Sequence, residues 1–189
     1  MPRKFVYYLA ASADGFIARP DGDVAWLDHQ GSAGDYGMTA FYRAIDTVLM
    51  GRKTWERGLA LGQTHFPGKK NYVFSKRRRS GANVEFVRDD VPAFAKRLRK
   101  ERGKDVWICG GSALFGSFLD AGQVDEIVVH LMPVLIGEGI PLVAPRHREI
   151  PLHLLSSRRF ADGVVRLRYA VRRSEKPALR VSSRASSRR

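Results

Sequence analysis

Short apolar runs of strand length alternate along this chain with segments whose apolar residues recur at helical spacing. Phe5-Val6-Tyr7-Tyr8-Leu9-Ala10-Ala11 is apolar on both alternating faces, which predicts a central strand covered on each side. Thr47-Val48-Leu49-Met50, the stretch from Lys70 to Phe74, Val84 to Val87, Asp105 to Cys109 and Asp125 to Leu131 read as further strands. Between them, residues 35 to 45, the segment after Gly51, Pro92 to Arg102 and the run after Ser112 suit helices. Asp89 and Asp90 are cap candidates for the third, with Pro92 in its first turn. Ser112 is the expected N-cap of the fourth and Gly122 its C-terminal stop. Near the end, Leu152 to Phe160 and Val164 to Val171 flank Asp162-Gly163, a strong hairpin signal. The second arm alternates Val165, Leu167, Tyr169 and Val171 against Arg166, Arg168 and Arg172. One face is therefore expected to be buried and the other wet or paired with a partner. The order predicts an α/β fold: a mostly parallel mixed sheet, helices on both faces, and a C-terminal antiparallel hairpin.

Composition bounds the reading. At 189 residues and 44% hydrophobic, the chain has material for one domain, placed at residues 1–173. Residues 174–189 form a basic Ser/Arg-rich tail lacking the apolar residues to pack, expected to be disordered. No run reaches the roughly 20 apolar residues of a membrane span, and the expectation is a soluble, cytoplasmic protein with no membrane partner. Cys109 is the single cysteine, which rules out an intramolecular disulfide and reads as a core thiol. The five histidines, His29, His65, His130, His147 and His153, show no metal-ligand spacing, and no metal site is expected.

A net charge of +14 invites a nucleic-acid reading. Part of it lies in the tail, and part on the helix from Pro92, where Lys96, Arg97, Arg99, Lys100 and Arg102 surround Phe94, Ala95 and Leu98. A solvated helix face accounts for the latter. Nucleic acid is then bound at most nonspecifically, through the tail.

Three strand ends carry the chemistry. After the strand at 105–109 comes Gly110-Gly111-Ser112-Ala113-Leu114, where two missing side chains let unpaired helix N–H groups face an anion closely. A tight strand-to-helix connection alone would use the same glycines. After Met50 comes Gly51-Arg52-Lys53-Thr54, adding two cations and a hydroxyl suited to a diphosphate. After Phe74 comes Ser75-Lys76-Arg77, suited to a phosphomonoester. In open α/β sheets ligands sit beyond the carboxyl ends of strands, where all three turns fall. No GxGxxG follows the first strand, which disfavours a Rossmann dehydrogenase. Instead Ser12-Ala13-Asp14-Gly15-Phe16-Ile17-Ala18 is a loop with apolar cargo, folding over a ligand or packing on the sheet.

The set Gly51-Arg52-Lys53-Thr54-Trp55-Glu56, Phe74-Ser75-Lys76 and Gly110-Gly111-Ser112-Ala113-Leu114-Phe115 resembles the dihydrofolate reductase superfamily. The stretches at 12–18 and Met132 to Leu142 resemble its branch related to the C-terminal reductase domain of the bifunctional riboflavin biosynthesis enzyme, over residues 4 to 172. The resemblance implies a dihydrofolate-reductase-like three-layer sandwich and an NADPH-dependent reductase that passes hydride to a small heterocyclic or carbonyl substrate. The implied activity is similar to that of 5-amino-6-(5-phosphoribosylamino)uracil reductase.

Carried over by position, Gly51, Arg52, Lys53 and Thr54 would hold the pyrophosphate and adenosine side of NADPH, and Ser75, Lys76 and Arg77 its 2′-phosphate. Gly110, Gly111, Ser112, Ala113 and Leu114 would hold the pyrophosphate and nicotinamide ribose, with a cis peptide between the glycines. Ala11 and Ile17 would border the nicotinamide. For catalysis, Asp35 falls near the superfamily's helix acid when counted back without gaps, whereas a two-residue gap puts Gly37 there. Asp14 is a second candidate. Trp26, Asp28 and Glu138 are substrate-side candidates. Two departures bear on the substrate: Thr54 is followed by Trp55-Glu56-Arg57-Gly58-Leu59 where the riboflavin reductases carry Asp-Asn-Pro, and Tyr8 stands where they have a lysine. In the resembling branch the late strands commonly form a homodimer. Dihydrofolate reductase, and a basic nucleic-acid binder without catalysis, are the alternatives.

Overall fold

Strand β1 (Phe5–Ser12) runs through the middle of the molecule, and the computed structural model describes the chain around it at residues 2–28, 34–77, 80–147 and 149–172. The basic tail at 174–189 lies outside the described residues. After β1 come a short β2 (Phe16–Ala18), a 3-10 turn at Ala25–Leu27, α1 (Met38–Ala44), β3 (Ile45–Gly51), α2 (Arg52–Ala60), β4 (Lys70–Phe74) and β5 (Glu85–Val87). The chain continues with α3 (Val91–Lys100), β6 (Asp105–Gly110), α4 (Ser112–Asp120), β7 (Glu126–Met132), β8 (Ile140–Pro141), β9 (Leu152–Arg159) and β10 (Val165–Val171).

Eight strands form one sheet in the order β5-β4-β3-β6-β1-β7-β10-β9. The first six are parallel, and β10 and β9 add antiparallel at one side. This is an α/β fold of the expected kind. β1 takes its central place because both of its faces are apolar: Tyr7 packs into the cluster under α3 and α4, while Val6 and Tyr8 pack into the one under α1 and α2. In the first cluster Phe5, Tyr7, Phe94, Phe115 and Phe118 are essentially inaccessible, and Tyr7 stacks on Phe115 with ring centroids 3.5 Å apart. Burying aromatic rings of this size is worth about 1.5–3 kcal/mol each, enough to fix α4, and the turn preceding it, against β1 and β6.

Several sequence expectations shift. Residues 35–37 are not helical: α1 begins at Met38, and the Asp35 carboxylate instead receives the N–H groups of Gly37 at 2.8 Å and Thr39 at 2.9 Å. Ser112 is the first helical residue of α4 and not its cap, which is Gly111, so its hydroxyl is left for another use. Asp90 does cap α3, accepting from the Ala93 N–H at 2.7 Å. The late hairpin turns over the wider loop from Phe160 to Val164, with a bulge in the pairing of its arms. Its faces do not divide into buried and wet as the alternation predicts. All eight residues of β9 are exposed, and β10 is half-exposed over most of its length, with Tyr169 and Val171 packed against the rim of the α3/α4 cluster. The pairing of β2 with β8 in a small second sheet had no sequence signal, each partner being too short to show a period.

No helix among the described residues is long and apolar enough to cross a membrane.

Candidate functional site

The three strand ends meet. Gly51, the last residue of β3, pairs with Phe74, the last of β4, and Met50 pairs with Gly110, the last of β6. A side-chain carbon on Gly51 would stand 3.5 Å from the Gly111 backbone nitrogen and 3.8 Å from the Leu114 side chain. One on Gly110 or Gly111 would stand 3.7 or 3.2 Å from Thr54 Oγ1. Glycine at these places therefore lets the two turns approach closely, and the N-termini of α2 and α4 flank the cradle they form. The peptide bond between Gly110 and Gly111 is cis, as the resemblance implies.

A bound group that fits this cradle must be anionic and rich in acceptors. The Ser112 hydroxyl is buried and has no partner among the described residues, although it sits beside the cradle on the first turn of α4. Lone buried hydroxyls are uncommon because each forfeits a hydrogen bond that water would have made. A phosphate oxygen arriving at the N–H groups of α4 would repair it. Lys53 is exposed beside Thr54, and Arg52 is held within its own helix by Glu56 at 2.5 Å. On β4's side the Ser75 hydroxyl is already engaged, bonding the Arg77 carbonyl at 3.1 Å and the Arg77 N–H at 3.2 Å. It shapes the turn, and the exposed Lys76 and Arg77 are the groups left to meet a phosphate. The donor set thus fits a dinucleotide phosphate.

The remaining candidates gather over the ends of β1 and β7. Ser12 Oγ accepts the Phe16 N–H at 3.0 Å, the Ala13 N–H reaches the Val134 carbonyl at 2.8 Å, and the Asp14 carboxylate receives the N–H groups of Ile136 and Gly137 at 3.1 and 2.7 Å. The loop holding Asp14 is thereby tied to the loop holding Glu138, and β2 and β8 extend the tie through Ile17's strand. Ala11 is fully buried at the end of β1, while Ile17 is half-buried. Trp26 packs with Ala10, Met132, Phe160 and Val164, its indole N–H buried and unpartnered among the described residues. Asp28 and Glu138 are exposed.

Hydrogen bonds set the charge state of two of these carboxylates. Hydrogen bonds from the Ser12 hydroxyl and from the N–H groups of Gly137 and Ile136 hold Asp14 below its ordinary range. Asp35 is held down likewise by the Thr39 hydroxyl and the N–H groups of Gly37 and Thr39. Both are exposed anions capping loops. Tyr8, where a lysine would stand in the riboflavin reductases, is buried, stacked on Phe41 at 4.1 Å, and pushed up to about 12 by that burial. It stays a neutral hydroxyl. Burial pushes the Cys109 thiol up to about 12 as well, in keeping with a core residue.

Two concavities on the surface lie away from the three turns. One is lined by His65, Lys69, Tyr72 and Glu85, where β4 and β5 begin, and the other by Leu119, Ile127, Val143 and Leu152. The strand-end cradle is identified by the residues that frame it.

A profile of the RibD C-terminal domain matches residues 3–166. The chain belongs to the RibD C-terminal domain family. It is 37% identical over 167 residues to the uncharacterized protein YwjB of Bacillus subtilis (strain 168), covering 87% of this chain and 96% of that one. It is 34% identical to YyaP of the same organism, over 88% of this chain and 94% of that one. Among solved structures, a putative riboflavin biosynthesis protein from Shewanella sp. PV-4 superposes with a TM-score of 0.82 at 23% identity, covering 92% of this chain and all of that one. Dihydrofolate reductase from Enterococcus faecalis, complexed with NADP(H), superposes with a TM-score of 0.65 at 17% identity, over 89% and 96% of the two chains. At these identities the structural matches establish the shared fold.

This RibD C-terminal domain also holds groups near the groove that sequence reasoning passed over. Arg57, on α2, reaches across to Asp23. Tyr36, in the left-handed region at φ 52, offers its carbonyl to His130 Nε2 at 3.1 Å and to Arg166 Nη1 at 3.5 Å. Neither residue stands in a recurring motif, and only the packing of α1 and α2 on the sheet brings them into place. Among the described residues, no His, Cys, Asp and Glu side chains gather into a group that could hold a metal ion.

Proposed function

We propose that this chain is an NADPH-dependent reductase that transfers hydride from the nicotinamide to a small heterocyclic or carbonyl substrate. One observation carries the reading: Gly51, Thr54 and the Gly110–Gly111 pair frame a single cradle beside a buried Ser112 hydroxyl that has no partner among the described residues. In this reading the N-termini of α2 and α4, with Thr54 and Ser112, hold the pyrophosphate. Arg52 and Lys53 serve the adenosine side, Lys76 and Arg77 the 2′-phosphate, and Leu114 the nicotinamide ribose. The cofactor supplies the hydride when bound, and the protein fixes its orientation toward the ends of β1 and β7, beside Ala11 and Ile17.

The loops over those strand ends then form the substrate side, with Trp26, Asp28 and Glu138 as its candidate contacts. Asp14 and Asp35, the sequence candidates for catalysis, take positioning roles here, because each is a loop-capping anion held in its charged form. Tyr8 and Trp55-Glu56-Arg57 in place of the riboflavin reductases' lysine and Asp-Asn-Pro favour a substrate other than the phosphoribosylamino-pyrimidine. We also propose a homodimer formed through the uncovered β9 side of the sheet.

The deciding experiment is titration of the protein with NADPH, followed by cofactor fluorescence, and then a turnover screen of dihydrofolate, ribityl-pyrimidine precursors and simple quinones by NADPH oxidation. Saturable binding lost on replacing Thr54 is the expected result. A protein that ignores NADPH yet binds DNA with a steep salt dependence would replace this reading with the nucleic-acid one.

A further inference from the structure

Arg57 carries a buried donor with nothing to receive it among the described residues. It lies three residues after Thr54 on α2, so the two side chains share a helix face, and Thr54 faces the double glycine. The buried donor is its Nε. Its Nη2 reaches Asp23 Oδ1 at 3.4 Å, the outer limit of a hydrogen bond. Nor is Asp23 dedicated to it: both carboxylate oxygens also take the Ala25 N–H at 3.3 Å, and one stands 3.8 Å from Arg19 Nε.

Other guanidiniums of this protein are better matched. Arg52 meets Glu56 at 2.5 Å, and Arg99 bonds Asp125 at 2.8 Å, the Arg3 carbonyl at 2.9 Å and Gln123 at 3.1 Å. Arg57 instead bridges two segments through one long contact. It starts on the helix beside the cofactor cradle and ends on the segment whose Trp26 packs with Ala10 of β1 and Met132 of β7. Its Nε and Nη2 point along one edge of the guanidinium, the edge that takes both oxygens of a carboxylate or two of a phosphate.

We propose that Arg57 binds an anionic group of the substrate, a carboxylate or a phosphate, which displaces Asp23 and satisfies Nε and Nη2 together. The proposal rests on the reductase reading for the word substrate, since the groove it borders is the one assigned to NADPH and its hydride acceptor. Asp23 holds the arginine in place while the site is empty. The guanidinium's positive charge favours an anion over a neutral ligand as the group that takes Asp23's place.

Benzoate, phenyl phosphate and neutral benzamide, titrated calorimetrically into the protein with and without NADPH, test this. The wild type should take both anions and bind benzamide at least about tenfold more weakly, the scale of one charge-assisted hydrogen bond. Arg57→Gln should lose about tenfold or more for the anions, with Arg57→Lys between the two. Asp23→Asn should bind the anions more tightly than the wild type, a gain that no folding defect would produce. Equal binding of benzoate and benzamide, or anion binding unchanged in Arg57→Gln, overturns the proposal. Failure of the wild type to bind NADPH would instead remove the reductase reading, and the cofactor-free titration would still decide whether Arg57 is an anion site.

Discussion

Thr54 Oγ1 lies 3.2 Å from the point where a side chain on Gly111 would begin. This one distance joins the α2 turn to the α4 turn, two segments far apart in sequence, and a side chain at residue 111 would crowd the Thr54 hydroxyl between them. Gly110 adds a second demand, since its φ of +143 is a conformation that side chains rarely adopt. Gly110→Ala and Gly111→Ala should each weaken NADPH binding by about tenfold or more, by filling the space the phosphates need and straining the turn. Thr54→Val, which keeps the shape and removes the hydroxyl, should cost about 0.5–1.5 kcal/mol of binding. Binding of NADPH at wild-type affinity by all three variants would place the cofactor elsewhere.

The sheet was legible because its strands are short apolar runs that end in glycine or in charged turns, as at Met50–Gly51 and Cys109–Gly110. The cofactor half of the site was legible for the same reason: the residues that end a strand are also those that open the groove. The substrate half was not. Asp14 and Asp35 look like acids in a sequence, and only the backbone N–H groups turned toward them reveal caps. Arg57 looks like one more surface cation among 33 basic residues until α2 places it opposite Asp23. In sequence Ser112 fits the cap role, because it follows a glycine pair and opens a helical run. Gly111 takes the position instead, which frees the hydroxyl.

Glu126 should be a linchpin of the sheet. It is buried on β7, with Lys4, just before β1, at 2.7 Å and Arg168 of β10 at 2.7 Å, so it ties three neighbouring segments. Burial works against its charge, but the hydrogen bonds and charges of Lys4 and Arg168 outweigh it and leave the carboxyl below its ordinary value. Because the folded form holds the proton less tightly than the unfolded, the stabilisation is present above the ordinary carboxylate value of 4.5 and is lost as pH falls through the lower folded value. Glu126→Gln should destabilise by about 1–3 kcal/mol in urea unfolding at neutral pH, a range discounted because both cations are half-exposed. It should also flatten the acid limb of the stability profile. An unchanged profile would mean that the triad contributes nothing net.

His130 should set a second, higher acid limb. Its ring is buried on β7 between the carbonyls of Leu9 and Tyr36, with the Tyr8 hydroxyl 3.5 Å from Nε2 and Phe160 and Arg166 of the hairpin beside it. Burial pushes its proton affinity down. The two carbonyls pull the other way, Arg166 adds to the depression, and the net is a lowered value. The unfolded chain therefore takes up the proton first, so stability is full above 6.5 and falls as pH drops toward the folded value. Thermal unfolding followed across this range should show the loss in the wild type and not in His130→Gln. A loss of equal size in both would assign it to other groups.

Strand β9 should be where two copies meet. It closes the sheet at the β10 side with all eight residues exposed, and Leu152, Leu154 and Leu155 are each over 40% accessible, at 43%, 48% and 45%. An edge strand of this length offers a row of unpaired backbone groups, and three leucines beside them gain little from water. A second copy, related by a twofold axis, covers the same patch on both chains at once, which removes such an edge with a single interface. Sedimentation should therefore give a dimer at micromolar concentration. Leu154→Glu, which would place a charge opposite its own copy, should shift the population to monomer without changing NADPH affinity, because β9 is separated from the strand-end cradle by β10, β7 and β1. A wild type that sediments as a monomer would leave the β9 edge without this partner. A variant that loses NADPH binding along with dimerisation would show that the second copy helps to build the groove.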